Sequence, residues 1–210
     1  ASDGGFLKES VALNSLVIAP AERAEILVDL SGYKIGDQLI LRDSANQLMT
    51  LTITQEIKKS GGIPNQLVQF TDYNKADVLH SRLFIMSGMG PMVAINGKQM
   101  DMNVIDETIK LNELEEWVIR NDTSGMGMGM GMMGNSSPHP FHVHGVQFQI
   151  IERNGQPPPL NERGWKDTVL VEDGGSVRIL VTFKKKGMFM YHCHILEHED
   201  LGMMGQIMVE

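Results

Sequence analysis

The sequence predicts an all-β fold, a sandwich or a barrel of many short strands. Residues 177–183 (VRILVTF) and 146–150 (VQFQI) have an apolar side chain at every second position, the pattern of strands with one buried face. Turn signals such as Asn154-Gly155 and Gly174-Gly175 separate the candidate strands. Short strands divided by regular turns are typical of sandwiches and barrels.

Further strands are expected in the N-terminal quarter of the chain, at residues 24–30 (AEILVDL), 38–43 (QLILRD) and 48–53 (LMTLTI). Residues 111–117 (LNELEEW) allow a short helix, but a strand that follows a turn fits the same letters. Helix is therefore expected to be a minor component.

Composition excludes some classes of partner. The formal net charge is -8 and the single basic run is 184–186, so nucleic acid is not an expected partner. No apolar run is long enough to span a membrane. Sixteen methionines stand out, because a thioether serves as a soft copper ligand as well as a core side chain.

A Gly- and Pro-containing stretch at 58–66 (KKSGGIPNQ) predicts a linker. We expect residues 58–80 to connect a segment at 1–57 to a domain at 81–210, which is a typical domain size. Residues 1–57 provide only a small sheet without a partner sheet. They are interpreted as half of a domain, or alternatively as an appendage packed on the C-terminal domain.

A low-complexity segment at 125–134 (GMGMGMGMMG) alternates glycine and methionine. Glycine at every second position disfavours a rigid strand and predicts a loop. The methionines could recruit copper(I) as soft ligands, or the segment could be a flexible insertion. Both interpretations stay open.

Two His-x-His pairs are candidate metal ligands. His142 and His144 lie in HPFHVHG, and His192 and His194 flank the cysteine of YHCHILEHEDLGMM. In a strand, residues two apart share a face, so each pair projects two imidazoles to one side. If the two strands lie together, four imidazoles reach one site.

Cys193, the only cysteine of the chain, would point to the opposite face, toward a second site. His139 and His198 can join it, and Met203 follows ten residues later. A thiolate, two imidazoles and a weak axial thioether form a blue-copper electron-transfer site. Zinc is the rival metal, but it rarely uses methionine and would leave the His-x-His pairs unexplained.

The two motifs resemble the C-terminal copper signatures of the multicopper oxidases, the laccase and cuprous oxidase superfamily. HPFHVHG and HCHILEHEDLGM match with every ligand position filled, and GWKDTV (164–169) and APAERAEILVD (19–29) resemble further family segments. Within the family, the chain resembles bacterial copper-efflux oxidases. The implied fold is a cupredoxin-like Greek-key β-sandwich, one complete domain plus the C-terminal half of a preceding one.

The resemblance also implies a role for each residue. It makes His139, Cys193 and His198 ligands of a type 1 copper with Met203 axial, His142 a type 2 ligand, and His144, His192 and His194 type 3 ligands. Glu199 matches an acidic position that passes protons toward the trinuclear cluster, although a solvated carboxylate is the alternative. Asp167 resembles a carboxylate that orients a ligating histidine, and a plain turn residue is equally consistent.

The implied activity is one-electron oxidation of phenols, aromatic amines or copper(I), coupled to four-electron reduction of dioxygen to water. Up to four copper ions would be needed, and half of the eight cluster histidines would come from an N-terminal portion that this sequence does not contain. The family habit suggests a periplasmic or extracellular location. Alternatives are a blue-copper electron carrier without oxidase activity, and a structural or division-associated relative that has kept the fold and lost copper. A nitrite-reductase-like protein is a further alternative, but imidazoles on both sides of the thiolate favour the oxidase.

Overall fold

The computed structural model describes residues 1–56, 61–122 and 137–210. The Met-rich segment 125–134 and the start of the predicted linker, 58–60, lie outside these residues. The described chain is mostly β-sheet. Its elements are β1 (Gln38–Arg42), β2 (Gln47–Thr52), β3 (His80–Ser87), β4 (Ala94–Ile95), β5 (Glu107–Ile109), β6 (Glu115–Asp122), β7 (His139–Val143), β8 (Phe148–Arg153), β9 (Trp165–Lys166), β10 (Thr168–Val171), β11 (Ser176–Val181), β12 (Gly187–Cys193), α1 (Leu196–Asp200) and β13 (Met204–Val209).

The helical parts are short. Besides the single turn of α1, three-residue 3₁₀ turns lie at Lys75–Asp77, Gly90–Met92 and Leu160–Glu162. No helix within the described ranges combines the length and the apolar character needed to cross a bilayer.

The described residues form two compact units. One contains residues 1–24 and 65–210, and the other contains residues 25–64. The two units are defined by contacts within this chain, and such contacts do not test where the domains of the family begin and end. The predicted domain limits at 57 and 80 therefore stay predictions.

The larger unit is a β-sandwich. In the described residues, one sheet has the strand order β10-β7-β12-β13-β5 and the other has the order β4-β3-β6-β11-β8-β9. Most neighbours are antiparallel, but β13 pairs with β5 and β3 pairs with β6 in parallel. The apolar side chains of both sheets form one buried cluster between them.

Phe84 on β3 joins the two sheets at the centre of this core. Its ring centroid lies 4.8 Å from that of Trp117 in its own sheet, and 5.4 Å and 4.9 Å from those of Phe141 and Tyr191 in the opposite sheet. Because Phe141 and Tyr191 lie on β7 and β12, this packing also fixes the two strands that carry the histidine motifs.

The register of the first sheet decides where the motif side chains point. His142 on β7 lies opposite His192 on β12, and Phe141 lies opposite Cys193. On the other side of β7, Thr168 of β10 lies opposite His142. Directly opposite residues share a face, so the two histidines face one side and the cysteine faces the core.

The smaller unit contains the antiparallel hairpin of β1 and β2, whose pairing shifts between Leu41 and Arg42. Many of its large apolar side chains are exposed, including those of Ile26, Leu27 and Leu48. Exposed apolar surface of this kind is typical of an interaction face.

Most strand predictions are confirmed. Strands β1, β2 and β11 overlap the predicted segments 38–43, 48–53 and 177–183, and β8 covers part of the predicted 146–150 segment. Residues 111–117 contain a turn followed by the start of β6, so the helical interpretation is wrong.

The strand predicted at 24–30 is wrong as well: residues 24–30 belong to no strand in the described structure. The physical reason is that a strand needs a hydrogen-bonded neighbour, whereas the apolar pattern records only which side chains seek burial. The side chain of Leu27 is 77 % exposed.

Truncation of Phe84 tests the core. Phe84→Ala should lower the free energy of unfolding by about 3–5 kcal/mol, because it removes a fully buried ring that joins both sheets. Leu83→Ala on the same strand is the control, since Leu83 is 44 % exposed. Urea denaturation of both variants measures the difference, and equal losses would contradict the assigned core.

Candidate metal centre

Three side chains that bind metals well meet in the core of the larger unit. The Sγ of Cys193 lies 3.6 Å from the Nδ1 of His139 and 3.6 Å from the Nδ1 of His198. The potential ligand atoms of all three lie within 4.8 Å of one another, and all three residues are buried. We call this set the thiolate group.

The fold explains why these residues meet. His139 begins β7 and Cys193 ends β12, which are neighbouring strands. The chain then turns through α1, which carries His198, and reaches the fully buried Met203 before β13. The Met203 amide donates to the His198 carbonyl at 2.9 Å, and its own carbonyl accepts from the Cys193 amide at 3.0 Å, so this loop folds back on the cysteine.

The electrostatics of the thiolate group fit a soft cation. Burial, together with the neighbouring His198, lowers the pKa of His139 to about 4, so the imidazole is neutral and able to bind a metal near pH 7. The Nε2 of His139 is buried without a hydrogen-bond partner. Burial raises the pKa of the Cys193 thiol to about 12, so a bound cation must supply the charge that favours the thiolate.

The donor set favours copper. One sulfur and two imidazole nitrogens, with a methionine on the same loop, are the groups that copper uses in electron-transfer sites. The residues of the thiolate group therefore fit the copper ion that the sequence predicted for them.

A second group lies on the other side of the same strands. His142, His144 and His192 place their potential ligand nitrogens within 4.8 Å of one another. The Nε2 atoms of His144 and His192 are 2.9 Å apart, so the two rings converge on one point. The ring of His194 lies beside them, with its centroid 5.2 Å from that of His192 and 5.5 Å from that of His142. We call these four residues the histidine cluster.

In His142 and His192, hydrogen bonds are made by Nδ1, which leaves Nε2 available to bind a metal. The Nδ1 of His142 lies 2.9 Å from both the Asp167 carbonyl and the Thr168 hydroxyl, and the Nδ1 of His192 lies 3.0 Å from the Cys193 carbonyl. A carbonyl only accepts, so each Nδ1 carries the proton and each Nε2 keeps a lone pair. Burial also lowers the pKa of His144 and of His192, which favours neutral imidazoles.

Asp167 lies directly behind His142. Its Oδ1 is 3.6 Å from the His142 Nδ1, and Arg23 donates to both carboxylate oxygens at 2.7 Å and 2.6 Å. Burial acts to raise the pKa of Asp167, but the hydrogen bonds from Arg23, His142 and Thr168 outweigh it and hold that pKa well below the usual range. The carboxylate is therefore ionised and fixed.

Glu199 lies close to His192 of β12. Its Oε2 is 3.5 Å from the His192 Nδ1, and its side chain is 31 % exposed. It therefore touches both a histidine of the cluster and solvent.

The histidine cluster opens onto a groove of about 700 Å³. Besides His142 and His144, this groove is lined by Tyr73, Trp165 and Lys184. The thiolate group, in contrast, is enclosed by the core.

The sequence matches a known protein family over most of its length. The description of the family that matches residues 64–210 is "Multicopper oxidase". The chain belongs to the multicopper oxidase family. Its mostly β structure with few helices is the cupredoxin-like fold of that family.

Individual relatives agree with this membership. The chain is 42 % identical to the multicopper oxidase mco of Staphylococcus haemolyticus over 100 % of its own length and 42 % of that protein. It superimposes on the crystal structure of a multi-copper oxidase from Pediococcus acidilactici with a TM-score of 0.89 at 39 % identity, covering 100 % of this chain and 43 % of that one. The chain thus spans less than half the length of these relatives, and further domains are implied.

A relative of another kind is the cell division protein FtsP of Pectobacterium atrosepticum. It is 32 % identical over 100 % of this chain and 45 % of its own length. The fold is therefore shared with a protein whose name describes cell division.

The structure brings the predicted histidine and cysteine ligands together in the predicted division between two faces, and Met203 is buried on the loop that follows α1. The thiolate group and the histidine cluster lie on opposite sides of the paired strands, and the individual copper assignments of their residues stay predictions. Sequence reasoning missed Arg23 and Thr168. Both lie in segments that resemble the family, APAERAEILVD and GWKDTV, but nothing in the letters indicates that they meet at His142.

The burial of Cys193 has a chemical consequence. In the native, copper-free protein we expect no alkylation of Cys193 by iodoacetamide at pH 8 over an hour, because the thiol is fully buried and its pKa is raised. Guanidinium chloride should make it react fully. Peptide mass spectrometry measures the modification, and Cys193→Ser gives the blank. Rapid native labelling would contradict the enclosed site.

Proposed function

We propose that this chain is the copper-carrying C-terminal part of a multicopper oxidase that oxidises a small reducing substrate and reduces dioxygen to water. The observation that supports this most directly is the pair of groups on opposite faces of two neighbouring strands. Copper in the thiolate group would supply one-electron oxidation of the substrate, and copper in the histidine cluster would supply the reduction of dioxygen.

Cys193 is the covalent connection between the two groups. It belongs to the thiolate group, and its peptide bonds lead directly to His192 and His194 of the histidine cluster. The Cys193 carbonyl also accepts from the His192 Nδ1 at 3.0 Å. An electron that enters at the sulfur therefore has a short bonded route to the cluster.

In this proposal His139, Cys193, His198 and Met203 hold the type 1 copper. The histidine cluster provides the type 2 ligand His142 and the type 3 ligands His144, His192 and His194. Together the two groups take part in binding up to four copper ions.

The partner that completes the cluster is proposed to be an N-terminal portion of the same enzyme, which supplies the other four histidines. The 700 Å³ groove beside His142 and His144 leaves that side of the cluster accessible. The share of each relative that this chain covers, 42 % of the staphylococcal protein, leaves ample length for such a portion.

The substrate is proposed to be a phenol, an aromatic amine or copper(I), and the protein is proposed to act in the periplasm or at the cell surface. Both proposals rest on family resemblance. Oxygen uptake with each substrate class tests the first, and cell fractionation tests the second.

The decisive experiment counts copper in the complete gene product that contains this chain. We expect about four copper ions per molecule and the intense blue absorption of a thiolate–copper(II) bond. Cys193→Ser should abolish that absorption, since a hydroxyl does not replace the soft thiolate. His142→Gln is the matched variant, which should keep the blue absorption and lose oxygen consumption.

Other outcomes decide among the alternatives. One copper with the blue absorption, and no oxygen consumption by the complete protein, would favour an electron carrier. A colourless protein that binds no copper, or that binds zinc, would overturn the proposal. The copper-free case would favour a role closer to that of the cell-division relative.

Glu199 is proposed to carry protons to and from the histidine cluster, because it contacts both His192 and solvent. Glu199→Gln should reduce steady-state oxygen consumption about a hundredfold, the usual scale of a lost acid–base group. The copper content and the blue absorption should stay unchanged. Oxygen electrode measurements give the rate.

Glu197→Gln is the control for this substitution. Glu197 lies on the same helix, carries the same charge and is exposed. Equal rates in the two variants would assign Glu199 to the solvated surface instead.

A further inference from the structure

Arg23 lies behind the histidine cluster although it is 144 residues away from its partner Asp167 in sequence. Its guanidinium donates to both carboxylate oxygens of Asp167, at 2.7 Å and 2.6 Å. A planar guanidinium can make this bidentate hydrogen bond, whereas the ammonium group of a lysine cannot. It fixes the plane of the carboxylate as well as its position.

Arg23 is itself held by its surroundings. Its backbone amide donates to the Asp3 carboxylate at 2.6 Å, and its guanidinium donates to the carbonyls of Asp3 at 3.0 Å and of Ala21 at 2.8 Å. The side chain is 52 % exposed, but these contacts hold it beside Asp167.

The anchor beneath Arg23 is a buried set of charges. The Nζ of Lys166 lies 3.1 Å from Asp3 and 3.2 Å from Glu22, and the side chains of Lys166 and Asp3 are 6 % and 0 % exposed. Three charged residues buried together keep one arrangement, because removal of any partner leaves an uncompensated charge. The segment 1–24 is thus fixed against the β9–β10 strands.

The same contacts reach His142. The Thr168 hydroxyl donates to the Asp167 Oδ1 at 2.9 Å, and its oxygen lies 2.9 Å from the His142 Nδ1, which also faces the Asp167 carbonyl at 2.9 Å. The position of the Asp167 carboxylate thereby sets the Thr168 hydroxyl. The hydroxyl and the carbonyl together hold the His142 ring with Nδ1 protonated and Nε2 turned to the cluster.

We infer that Arg23 is a positioning residue of the histidine cluster, which acts through Asp167 and Thr168 to hold His142 in the tautomer and orientation that bind a metal. This inference rests on the proposed function, because copper binding is what requires His142 to hold this orientation. It assigns part of the copper site to the segment 1–24, which carries none of the predicted ligands.

The test compares the wild-type complete gene product with three variants, each of which carries one substitution. Arg23→Gln removes the charge and the two-pronged contact, and Arg23→Lys keeps the charge but loses the second contact. Lys8→Gln is the matched control: Lys8 also ties the segment 1–24 to the rest of the unit, through Asp72 at 2.7 Å, but these residues take no part in the His142 network. Thermal melts establish that each variant folds.

The first measurement concerns copper. We expect Arg23→Gln to weaken retention of the non-blue copper against a chelator by about 10- to 100-fold, the usual cost of losing an outer hydrogen-bond partner. The electron paramagnetic resonance signal of that copper should change, while the blue absorption should not. Arg23→Lys should fall between Arg23→Gln and the wild type, and Lys8→Gln should match the wild type.

The second measurement needs no copper. In metal-free protein labelled with nitrogen-15 at histidine, the His142 signals should report an Nδ1-protonated ring in the wild type and in Lys8→Gln, and a mixture of tautomers in Arg23→Gln. A copper-loaded wild type with unchanged copper spectra and tautomer in Arg23→Gln would overturn the inference. Equal effects in Lys8→Gln would also overturn it, since they would show only a general tie between segments.

The two measurements separate this inference from the proposed function. If the wild type binds no copper but Arg23→Gln changes the His142 tautomer, the oxidase proposal fails and the positioning role of Arg23 stands. If copper is bound normally and the tautomer does not change, the inference about Arg23 fails alone.

Discussion

The antiparallel pairing of β7 with β12 is the constraint on which both metal groups depend. It sets His142 opposite His192, and Phe141 opposite Cys193, so one strand pair offers imidazoles to one side and a thiol to the other. A slip of the register by one residue would exchange the faces. Both sites would then be lost together, which explains why Phe84 and the core around it matter for chemistry that they never touch.

The two faces of this strand pair provide different surroundings. The three residues of the thiolate group are buried, and Cys193 belongs to the apolar core, where neutral ligands cost less to bury than charged ones. The histidine cluster lies beside a groove, and two acidic side chains contact its outer edge: Asp167, which is ionised, at His142, and Glu199 near His192. The fold thereby separates a buried set of sulfur and nitrogen donors from a set of imidazoles that lies beside an open groove.

The sequence predicted the ligand-bearing strands well because their signal is local. Residues two apart in a strand share a face, so spacing predicts that His142, His144, His192 and His194 face away from Cys193. His198 lies on α1, and its place in the thiolate group was implied by the family resemblance instead. The same kind of local signal gave a wrong prediction at 24–30. The apolar residues there are typical of a strand, but in the described structure the segment pairs with no neighbouring strand. The contact between Arg23 and Asp167 could not be predicted, because it depends on how distant segments pack.

The parallel pairs β3–β6 and β5–β13 bear on how the molecule matures. Each brings together strands that are far apart in sequence, and such contacts form late because loop closure must precede them. His139 and Cys193, 54 positions apart, likewise meet only through the pairing of two distant strands, β7 and β12. A metal that binds the finished site and not its parts stabilises only molecules that have folded completely. In the proposed copper-loaded state, the chain would therefore be degraded more slowly than the copper-free chain, because fewer molecules open to a protease.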